Sequence, residues 1–446
     1  MNRILLAGMA CLWVQPAVAQ LSALELNLAD YIDAHHDEAI ELLIEVVNIN
    51  SGTQNFAGVA AVGQVFRERF EALGMTTQWI DGSAWNRAGH LVARTNPTQA
   101  NGPHLLLIGH LDTVFQRDSP FQEYEYLGDY IGRGPGIADM KGGNVIILQA
   151  LAALNDQGLL HDMAITVYLT GDEESSGEAV LARADLRVVA QQADIALGFE
   201  NGDGDPSTAI PARRGYASWE LRVTGNPAHS SQIFQDEVGS GAIFEASRIL
   251  NAFHEELGGE QYLTFNPGII MGGTELNFAS DEGRGDAFGL PNVVAQHAIA
   301  RGDLRMISNA QTARARTTME RIVSENLPLT SAELIFNSGM PPFPDSEGNR
   351  RLLEFFSQAS QDLGFGAVTA VDPSRAGAAD ISYVGEFVEM AIDGMGMGGA
   401  NDHTVNETGD LESLRVQAKR AAVLMHRLET GNWKLETGNW KLETRN

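Results

Sequence analysis

Short apolar runs alternate with helix-like segments along most of the chain. Four runs, each bounded by Gly or charged residues, have the length and composition of buried strands: 104–109, 164–171, 193–199 and 388–394. Helical spacing of apolar residues predicts three helices around them: Glu38–Val47, Ala57–Leu73 and Asn144–Leu154. Buried strands that alternate with helices indicate an α/β layer with a mostly parallel sheet.

The middle of the chain has a different order of elements. Its pattern predicts β-α-β-β-α-β, with the elements at 217–224, 242–257, 262–271, 293–306, 310–326 and 332–337. This order is typical of a ferredoxin-like α+β domain. Because α/β segments lie on both sides of it, we expect an inserted second domain. The predicted boundaries are 1–19 for a leader, 20–209 and 329–428 for the α/β domain, 210–328 for the insert and 429–446 for a tail.

Both chain ends have features that are not typical of a folded core. Arg3, the apolar residues 4–14 and the Ala17-Val18-Ala19 sequence are typical of a signal peptide cleaved after Ala19. We therefore expect export to the periplasm or secretion; a lipoprotein anchored at Cys11 is the alternative. The tail carries the repeat LETGNWK-LETGNWK, to which we assign no function.

Composition excludes several classes of partner and site. The 30 Lys and Arg against 58 Asp and Glu give a formal net charge of −28, which argues against binding to nucleic acid or to an anionic membrane surface. Beyond the leader we expect no membrane span. Cys11 is the single cysteine, so a metal site would use His, Asp and Glu.

Histidines and acids follow the predicted strands at the point where each strand ends. They are His110 and Asp112, Glu173 and Glu174, Glu200, and His403, and Asp139 lies in the glycine-rich loop GRGPGIADMKGG. Ligands of open α/β sheets bind outside the carboxyl ends of the strands, so we expect these segments to converge on one crevice.

The types of these residues indicate a metal site. Two histidines with several carboxylates and no thiol suit Zn²⁺ or a similar divalent ion. A pair of ions needs a bridging carboxylate, and Asp139 in its tight loop could supply one. Of the adjacent Glu173 and Glu174, one would face a metal and the other would be free to act as a general base.

These motifs together resemble one enzyme family. HLDTV (110–114), GIADMKGG (136–143), GDEESSG (171–177), GFE (198–200), GNPAHSS (225–231) and the late His403 resemble the M20 family of di-zinc metallopeptidases, and especially its glutamate carboxypeptidase (carboxypeptidase G) branch. The resemblance extends over about residues 39–428. It implies an α/β catalytic domain interrupted by a ferredoxin-like dimerisation domain, and a homodimer.

The resemblance also implies the metal ligands. His110 and Glu200 would hold one zinc, Glu174 and His403 the other, and Asp139 would bridge the two. Asp112 would orient His110. The peptide bond between Asp139 and Met140 would be cis.

Roles in catalysis and substrate binding follow from the same resemblance. Glu173 would be the general base, and His229 of the insert would reach across a dimer interface to the oxyanion. Asn292 and Arg305 resemble positions that contact the substrate and its terminal carboxylate. The implied activity is hydrolysis of the amide bond to a C-terminal amino acid.

The sequence departs from the carboxypeptidase G branch at one segment. Where that branch has an R-G-R-P type sequence, this chain has Asn337-Ser338-Gly339-Met340-Pro341 without arginine, which argues against glutamate specificity. The run Met340-Pro341-Pro342-Phe343 could favour a more apolar C-terminal residue. A dipeptidase or an N-acyl amino acid amidohydrolase of the same family remains open. A non-catalytic periplasmic binding protein is the alternative outside enzymes.

Overall fold

The computed structural model describes residues 21–98, 102–280 and 282–431. The predicted leader, with Arg3 and Cys11, lies outside these residues, as does the repeat from residue 432 onward. The described part contains ten α-helices: α1 Ala23–Ala34, α2 His36–Val47, α3 Phe56–Ala72, α4 Gly142–Asp156, α5 Ala179–Ala182, α6 Ala184–Ala190, α7 Gly241–Leu257, α8 Asn309–Ser324, α9 Glu347–Asp362 and α10 Leu411–Glu429.

The strands of the described part form one large sheet and several smaller ones. They are β1 Thr76–Asp81, β2 Gly89–Arg94, β3 Leu105–His110, β4 Glu125–Gly128, β5 Ile131–Arg133, β6 Ile165–Thr170, β7 Ile195–Gly198, β8 Thr208–Ala209, β9 Gly215–Gly225, β10 Thr264–Gly273, β11 Glu275–Ala279, β12 Arg284–Phe288, β13 His297–Met306, β14 Thr330–Ser338, β15 Thr369–Ala370, β16 Met390–Ile392, β17 Gly399–Ala400 and β18 Thr408–Asp410. The small sheets pair β15 with β8 and order β17-β18-β5-β4.

The large sheet has the order β1-β2-β6-β3-β7-β16. Strands β6, β3, β7 and β16 are mutually parallel, and β2 is antiparallel to both of its neighbours. Every residue of β3, β6, β7 and β16 is buried, as expected for parallel strands covered on both faces. The predicted α/β class with a mostly parallel sheet is confirmed.

The two faces of the large sheet contact different partners. On one face, Leu105 and Leu107 of β3 belong to the main core with α1–α4 and α10. On the other, Leu106 and Ile108 pack with α6 and with residues near Ile381. This alternation is the period of two that a strand imposes. It leaves the carboxyl ends of the strands as the edge where polar groups can gather.

The insert folds as the sequence predicts. Strands β9, β10, β13 and β14 form an antiparallel sheet in the order β10-β13-β9-β14. Trp219 of β9 packs edge-to-face on Phe253 of α7, in a core completed by α8. A β-α-β-β-α-β chain with this strand order is the ferredoxin-like arrangement. One addition, the β11–β12 hairpin, lies between the second and third strands.

The predicted end of the insert at residue 328 is wrong. Strand β14 pairs with β9 along its whole length, and its Leu334 and Phe336 pack against the insert core. The insert sheet therefore extends to residue 338. Arg213, just before the insert, pairs with Phe343, just after it, in an isolated β-bridge. The two segments that connect the insert to the α/β unit therefore lie side by side.

One helical stretch after the leader has the length and composition of a membrane span, so the expectation of no span there stays a prediction. Within the described residues, Ile137–Asp156 is long and apolar enough for a span, and 89% of its apolar window is buried inside the fold. This is the packing of a central core helix. At the C-terminus, α10 ends at Glu429, so the first residue of the predicted tail is helical.

Candidate active site

The predicted histidines and acids converge at the carboxyl edge of the large sheet. His110 is the last residue of β3, and Glu200 follows β7 by two residues. Glu174 lies four residues after β6. Asp139 lies in an irregular turn, Ile137–Lys141, that leads directly into α4. His403 lies in the loop after β17.

Two groups of side chains meet at Asp139. On one side, Nε2 of His110 lies 3.1 Å from Oδ1 of Asp139 and 3.6 Å from Oε1 of Glu200. On the other side, Nε2 of His403 lies 3.0 Å from Oδ2 of Asp139 and 3.2 Å from Oε2 of Glu174. Each carboxylate oxygen of Asp139 therefore faces a different histidine. This is the arrangement that a bridging ligand requires.

The spacing of these atoms fits a pair of divalent ions. Zinc bonds to N and O ligands are about 2.0–2.1 Å long, so the ligands of one tetrahedral ion lie roughly 3.3 Å apart. The four distances from the two histidines to their carboxylates, 3.0–3.6 Å, are close to this value. Asp402 also lies within reach of Asp139 and His403, but it is exposed whereas the Glu174 side chain is 7% exposed. Glu174 therefore stays the predicted ligand, with Asp402 as a second candidate beside it.

Burial and hydrogen bonds from the histidines shift the pKa values of the acids in opposite directions. Burial raises the pKa of Glu200 well above its ordinary value. Burial also raises the pKa of Asp139, but hydrogen bonds from His110 and His403 outweigh it and leave that pKa below its ordinary value. Hydrogen bonds to Asp139 and Glu174 raise the pKa of His403 to about 11. The clustered carboxylates thus need positive charge nearby. Divalent cations would supply it, and the histidines would lose their protons when they bind the metal.

Asp112 is buried beneath the site and contacts more than His110. Nδ1 of His110 lies 3.0 Å from the backbone oxygen of Asp112 and 3.4 Å from its Oδ1. The same carboxylate accepts the backbone N–H groups of Glu173 at 3.0 Å and Glu174 at 3.3 Å, and the hydroxyl of Thr53 at 2.6 Å. Asp112 therefore ties the His110 strand to the segment that carries both glutamates. The sequence indicated only the contact with His110.

A buried arginine lies behind the Glu173 segment. Arg183 donates to Asp172 and to Asp380, each at 2.6 Å, and all three side chains are 0–3% exposed. Asp172 also accepts from the indole of Trp85 at 2.8 Å, and Asp380 accepts from Thr170 at 2.7 Å. This network fixes the residue that directly precedes Glu173. No local sequence signal marked Arg183 or Asp380.

Glu173 itself faces the cavity beside the two groups of ligands. Burial raises the pKa of its carboxyl well above the ordinary value, and the negative charge of Asp380 raises it further. A carboxylate with a raised pKa, next to the ligands but not part of either group, is suited to accept and return a proton near neutral pH.

A second buried acid supports the Asp139 turn. The Glu407 carboxylate accepts the backbone N–H groups of Gly136 at 3.0 Å, Ala138 at 3.0 Å and Asp139 at 3.2 Å. Burial raises the pKa of Glu407 to about 8. The peptide bond between Asp139 and Met140 is cis, as the resemblance implies. The sequence did not indicate Glu407, because its hydrogen-bond donors are backbone N–H groups.

The three predicted site residues of the insert do not lie among the predicted metal ligands of the same chain. His229 is exposed, and its Nδ1 lies 2.9 Å from the Ser231 hydroxyl. Asn292 is exposed and accepts the Ser230 N–H through its backbone oxygen at 2.9 Å. Arg305 pairs with Asp303 at 2.9 Å. None of the three lines the cavity at the metal ligands, so their roles stay predictions.

Comparison with known proteins gives a consistent result. The sequence model of the family described as "Peptidase family M20/M25/M40" matches residues 106–427. Carboxypeptidase G2 of Pseudomonas sp. (strain RS-16) is 27% identical over 403 residues, which cover 88% of this chain and 89% of that protein. Acetylornithine deacetylase of Salmonella arizonae is 34% identical over 191 residues, covering 39% of this chain and 46% of that protein.

Solved structures share the fold. An aminopeptidase, PepT from Bacillus cereus, superposes with a TM-score of 0.68 at 19% identity, over 88% of this chain and 98% of that one. The YXEP protein of Bacillus subtilis, described as a dinuclear metal-binding peptidase, has a TM-score of 0.61 at 18% identity, over 89% of this chain and 99% of that one. At these identities the likeness concerns the fold.

Proposed function

This chain belongs to peptidase family M20/M25/M40, a family of metal-dependent hydrolases, and we propose that it is a zinc-dependent exopeptidase that releases the C-terminal amino acid of its substrate. The observation that carries the proposal is Asp139, whose two carboxylate oxygens face His110 and His403 at 3.1 Å and 3.0 Å. This geometry suits two metal ions side by side, each with a further glutamate whose side chain is mostly buried.

We propose that two zinc ions occupy this site. His110, Asp139 and Glu200 would hold one ion, and Asp139, Glu174 and His403 the other. When bound, the pair supplies Lewis-acid polarisation of the scissile carbonyl and lowers the pKa of water to about 7. Asp112 and Glu407 keep the ligands in place, because each accepts two or three backbone N–H groups of the ligand-bearing segments.

Glu173 would move the proton in this reaction. Its carboxylate accepts a proton as water attacks the carbonyl carbon and returns it to the nitrogen of the departing amino acid. The raised pKa of Glu173 favours this exchange. Asp112 and the Arg183 network would hold its backbone at the edge of the cavity.

A homodimer through the insert is the second part of the proposal. Strand β10 is an edge strand of the insert sheet, and near it lie large exposed apolar side chains: Ile243, Phe244, Ile270, Phe288 and Leu290. Exposed apolar patches of this kind mark interaction sites. In such a dimer, His229 would stabilise the oxyanion of the partner's site, and Asn292 and Arg305 would contact its substrate.

The length of the match supports the choice of substrate class. Carboxypeptidase G2 matches this chain over 88% of its length, whereas the deacetylase matches 39%. A dipeptidase or an N-acyl amino acid amidohydrolase of the same family is the alternative, because a deacetylase and desuccinylases are also among the similar proteins. Export to the periplasm or beyond is proposed from the leader sequence.

A substrate panel tests the function. The zinc-loaded protein from residue 20 onward would be incubated with N-acyl amino acids, dipeptides and longer peptides, and released amino acids would be identified by mass spectrometry. We expect release of C-terminal residues from N-acyl amino acids and peptides alike. Cleavage of dipeptides alone would favour the dipeptidase, and cleavage of N-acyl amino acids alone the amidohydrolase. No cleavage by a protein that holds two zinc ions would contradict the proposal.

A further inference from the structure

The segment that carries both glutamates of the site has one buried side and one side that faces solvent. On the buried side, Asp112 accepts the backbone N–H groups of Glu173 and Glu174. Ser175, the next residue, is exposed, and residues 171–178 belong to no helix or strand. A loop that is open to solvent on one side moves locally unless contacts restrain it there as well.

Arg87 contacts this segment from the solvent side. Its Nε donates to the backbone oxygen of Ser175 at 2.5 Å, and its Nη2 donates to the Ser175 hydroxyl at 3.3 Å. Its Nη1 donates to the backbone oxygen of Asn86 at 2.8 Å. In the part of the chain that the structure describes, no carboxylate pairs with Arg87, although the chain has 58 Asp and Glu. The guanidinium therefore binds neutral oxygens of the glutamate segment and of its own loop.

Gly177 allows the guanidinium to lie close to the segment. A Cβ atom at Gly177 would lie 3.2 Å from both Cζ and Nη2 of Arg87, which is closer than side chains ordinarily approach. Gly177 also has a φ of +65°, a conformation that a residue with a Cβ atom adopts at a cost. Glycine at this position therefore permits both the turn after Ser175 and the contact with Arg87.

The backbone beside Arg87 is anchored on the same segment. Trp85 stacks on the buried ring of His90, with ring centroids 5.2 Å apart. The indole N–H of Trp85 donates to Asp172 at 2.8 Å. Arg87 therefore extends from a loop that is already fixed to the residue directly before Glu173, and its side chain adds a second attachment directly after the glutamates.

We propose that Arg87 is a positioning residue for the general base: by binding Ser175, it keeps Glu173 directed at the position of the attacking water. The inference rests on the proposed function, because it assumes that Glu173 moves the proton. Asp112 restrains the segment from the buried side and Arg87 from the solvent side, so loss of Arg87 leaves it restrained on one side. A displacement of about 1 Å at a reacting group can cost roughly 10²-fold in rate.

Steady-state kinetics test this role with the substrate that the wild type cleaves fastest. We expect Arg87→Ala to lower kcat by about 10- to 100-fold, with KM and the content of bound zinc unchanged. Arg87→Lys should recover part of the rate, because a single ammonium replaces the planar fork. Ser175→Ala keeps the backbone oxygen and should lower kcat by less than about 10-fold, the loss of one hydrogen bond. An unchanged kcat for Arg87→Ala, or a loss of bound zinc, would overturn the inference.

Hydrogen exchange tests the restraint without catalysis. In zinc-loaded Arg87→Ala protein, the backbone N–H groups of residues 173–178 should exchange faster than in the wild type, while those of β6 should keep the wild-type rate. Arg69→Ala is the matched control, because Arg69 is 54% exposed and lies 3.6 Å from Glu45 on the surface. It should change neither kcat nor exchange.

The two measurements separate this inference from the proposed function. Failure of the wild type to cleave any substrate would refute the function, while faster exchange confined to residues 173–178 would still support the restraint by Arg87. Unchanged exchange in that segment, or equal acceleration in β6, would overturn the inference even if the wild type is active.

Discussion

The candidate site residues of the α/β unit and those of the insert differ in their exposure to solvent and in their contacts. In the α/β unit, His110, Asp112 and Asp139 are 9% exposed or less and contact one another or shared partners. In the insert, His229 and Asn292 are exposed, and their hydrogen-bond partners Ser231 and Ser230 also belong to the insert. The residues of the α/β unit contact one another within one chain, whereas those of the insert do not contact them.

This difference in burial indicates which unit contains the metal site. Burying several carboxylates together is costly unless cations or hydrogen bonds compensate. The α/β unit meets that cost with two histidines, backbone N–H groups and the Arg183 network. The insert residues remain solvated, so they are free to meet another surface. We therefore propose that the metal chemistry belongs to the α/β unit and that the insert of a partner subunit supplies the transition-state and substrate contacts.

The largest expected effect is at the base. Glu173→Gln should lower kcat by about 10²–10⁴-fold, because the amide cannot accept the proton. Both metals should remain bound, since Glu173 belongs to neither ligand group. Stopped assays with elemental analysis of the same samples measure both quantities. Near-normal turnover would remove Glu173 from the mechanism.

The buried network gives the next effect, on stability. Arg183→Ala leaves Asp172 and Asp380 buried without their cation, which should lower the free energy of unfolding by about 3–5 kcal/mol. Arg187→Ala is the matched control: Arg187 pairs with Glu386 at 3.2 Å, with both side chains about half exposed, and such pairs contribute at most about 1 kcal/mol. Urea titrations compare the two variants. Equal losses would show that burial of the network does not matter.

The insert histidine should act on the transition state. We expect His229→Ala to lower kcat by about 10²–10³-fold with little change in KM, as for loss of an oxyanion donor. If His229 acts across a dimer, mixing His229→Ala with Glu173→Gln subunits should restore activity, because one site of each mixed dimer then has both groups. Mixtures as inactive as their components would place His229 outside the partner's site.

The apolar face of the insert gives the smallest expected effect. Phe244→Glu should weaken the dimer by about 1.5–3 kcal/mol, the value of one large buried apolar side chain. Leu26→Glu on α1 is the control, because Leu26 is also exposed, at 47% against 53%, but lies outside the insert. Sedimentation velocity measures the dimer fraction. An unchanged dimer, or a wild type that is monomeric, would contradict the assignment of this face.

The sequence predicts the fold where local patterns suffice. The apolar runs at β3, β6 and β7 and the β-α-β-β-α-β order of the insert are set by periodicity, so they were predictable. The β11–β12 hairpin and the reversed direction of β2 depend on pairing between distant segments. The wrong boundary at 328 has the same cause, because only the pairing of β14 with β9 shows which unit the strand belongs to.

For the site, residues at strand ends were predictable and their supports were not. His110, Glu200 and the 172–174 segment follow strands, so their convergence follows from the parallel sheet. Arg183 lies between two short helices, and Glu407 accepts hydrogen bonds from backbone groups of the Asp139 turn, so neither carries a local signal.

Anomalous diffraction at the zinc edge from zinc-loaded crystals tests the central claim most directly. We expect two peaks per chain on either side of the Asp139 carboxylate, one among His110, Asp139 and Glu200 and one among Asp139, Glu174 and His403. A single peak that does not contact Asp139, or no peak at these residues in a protein that cleaves its substrate, would contradict the two-metal site.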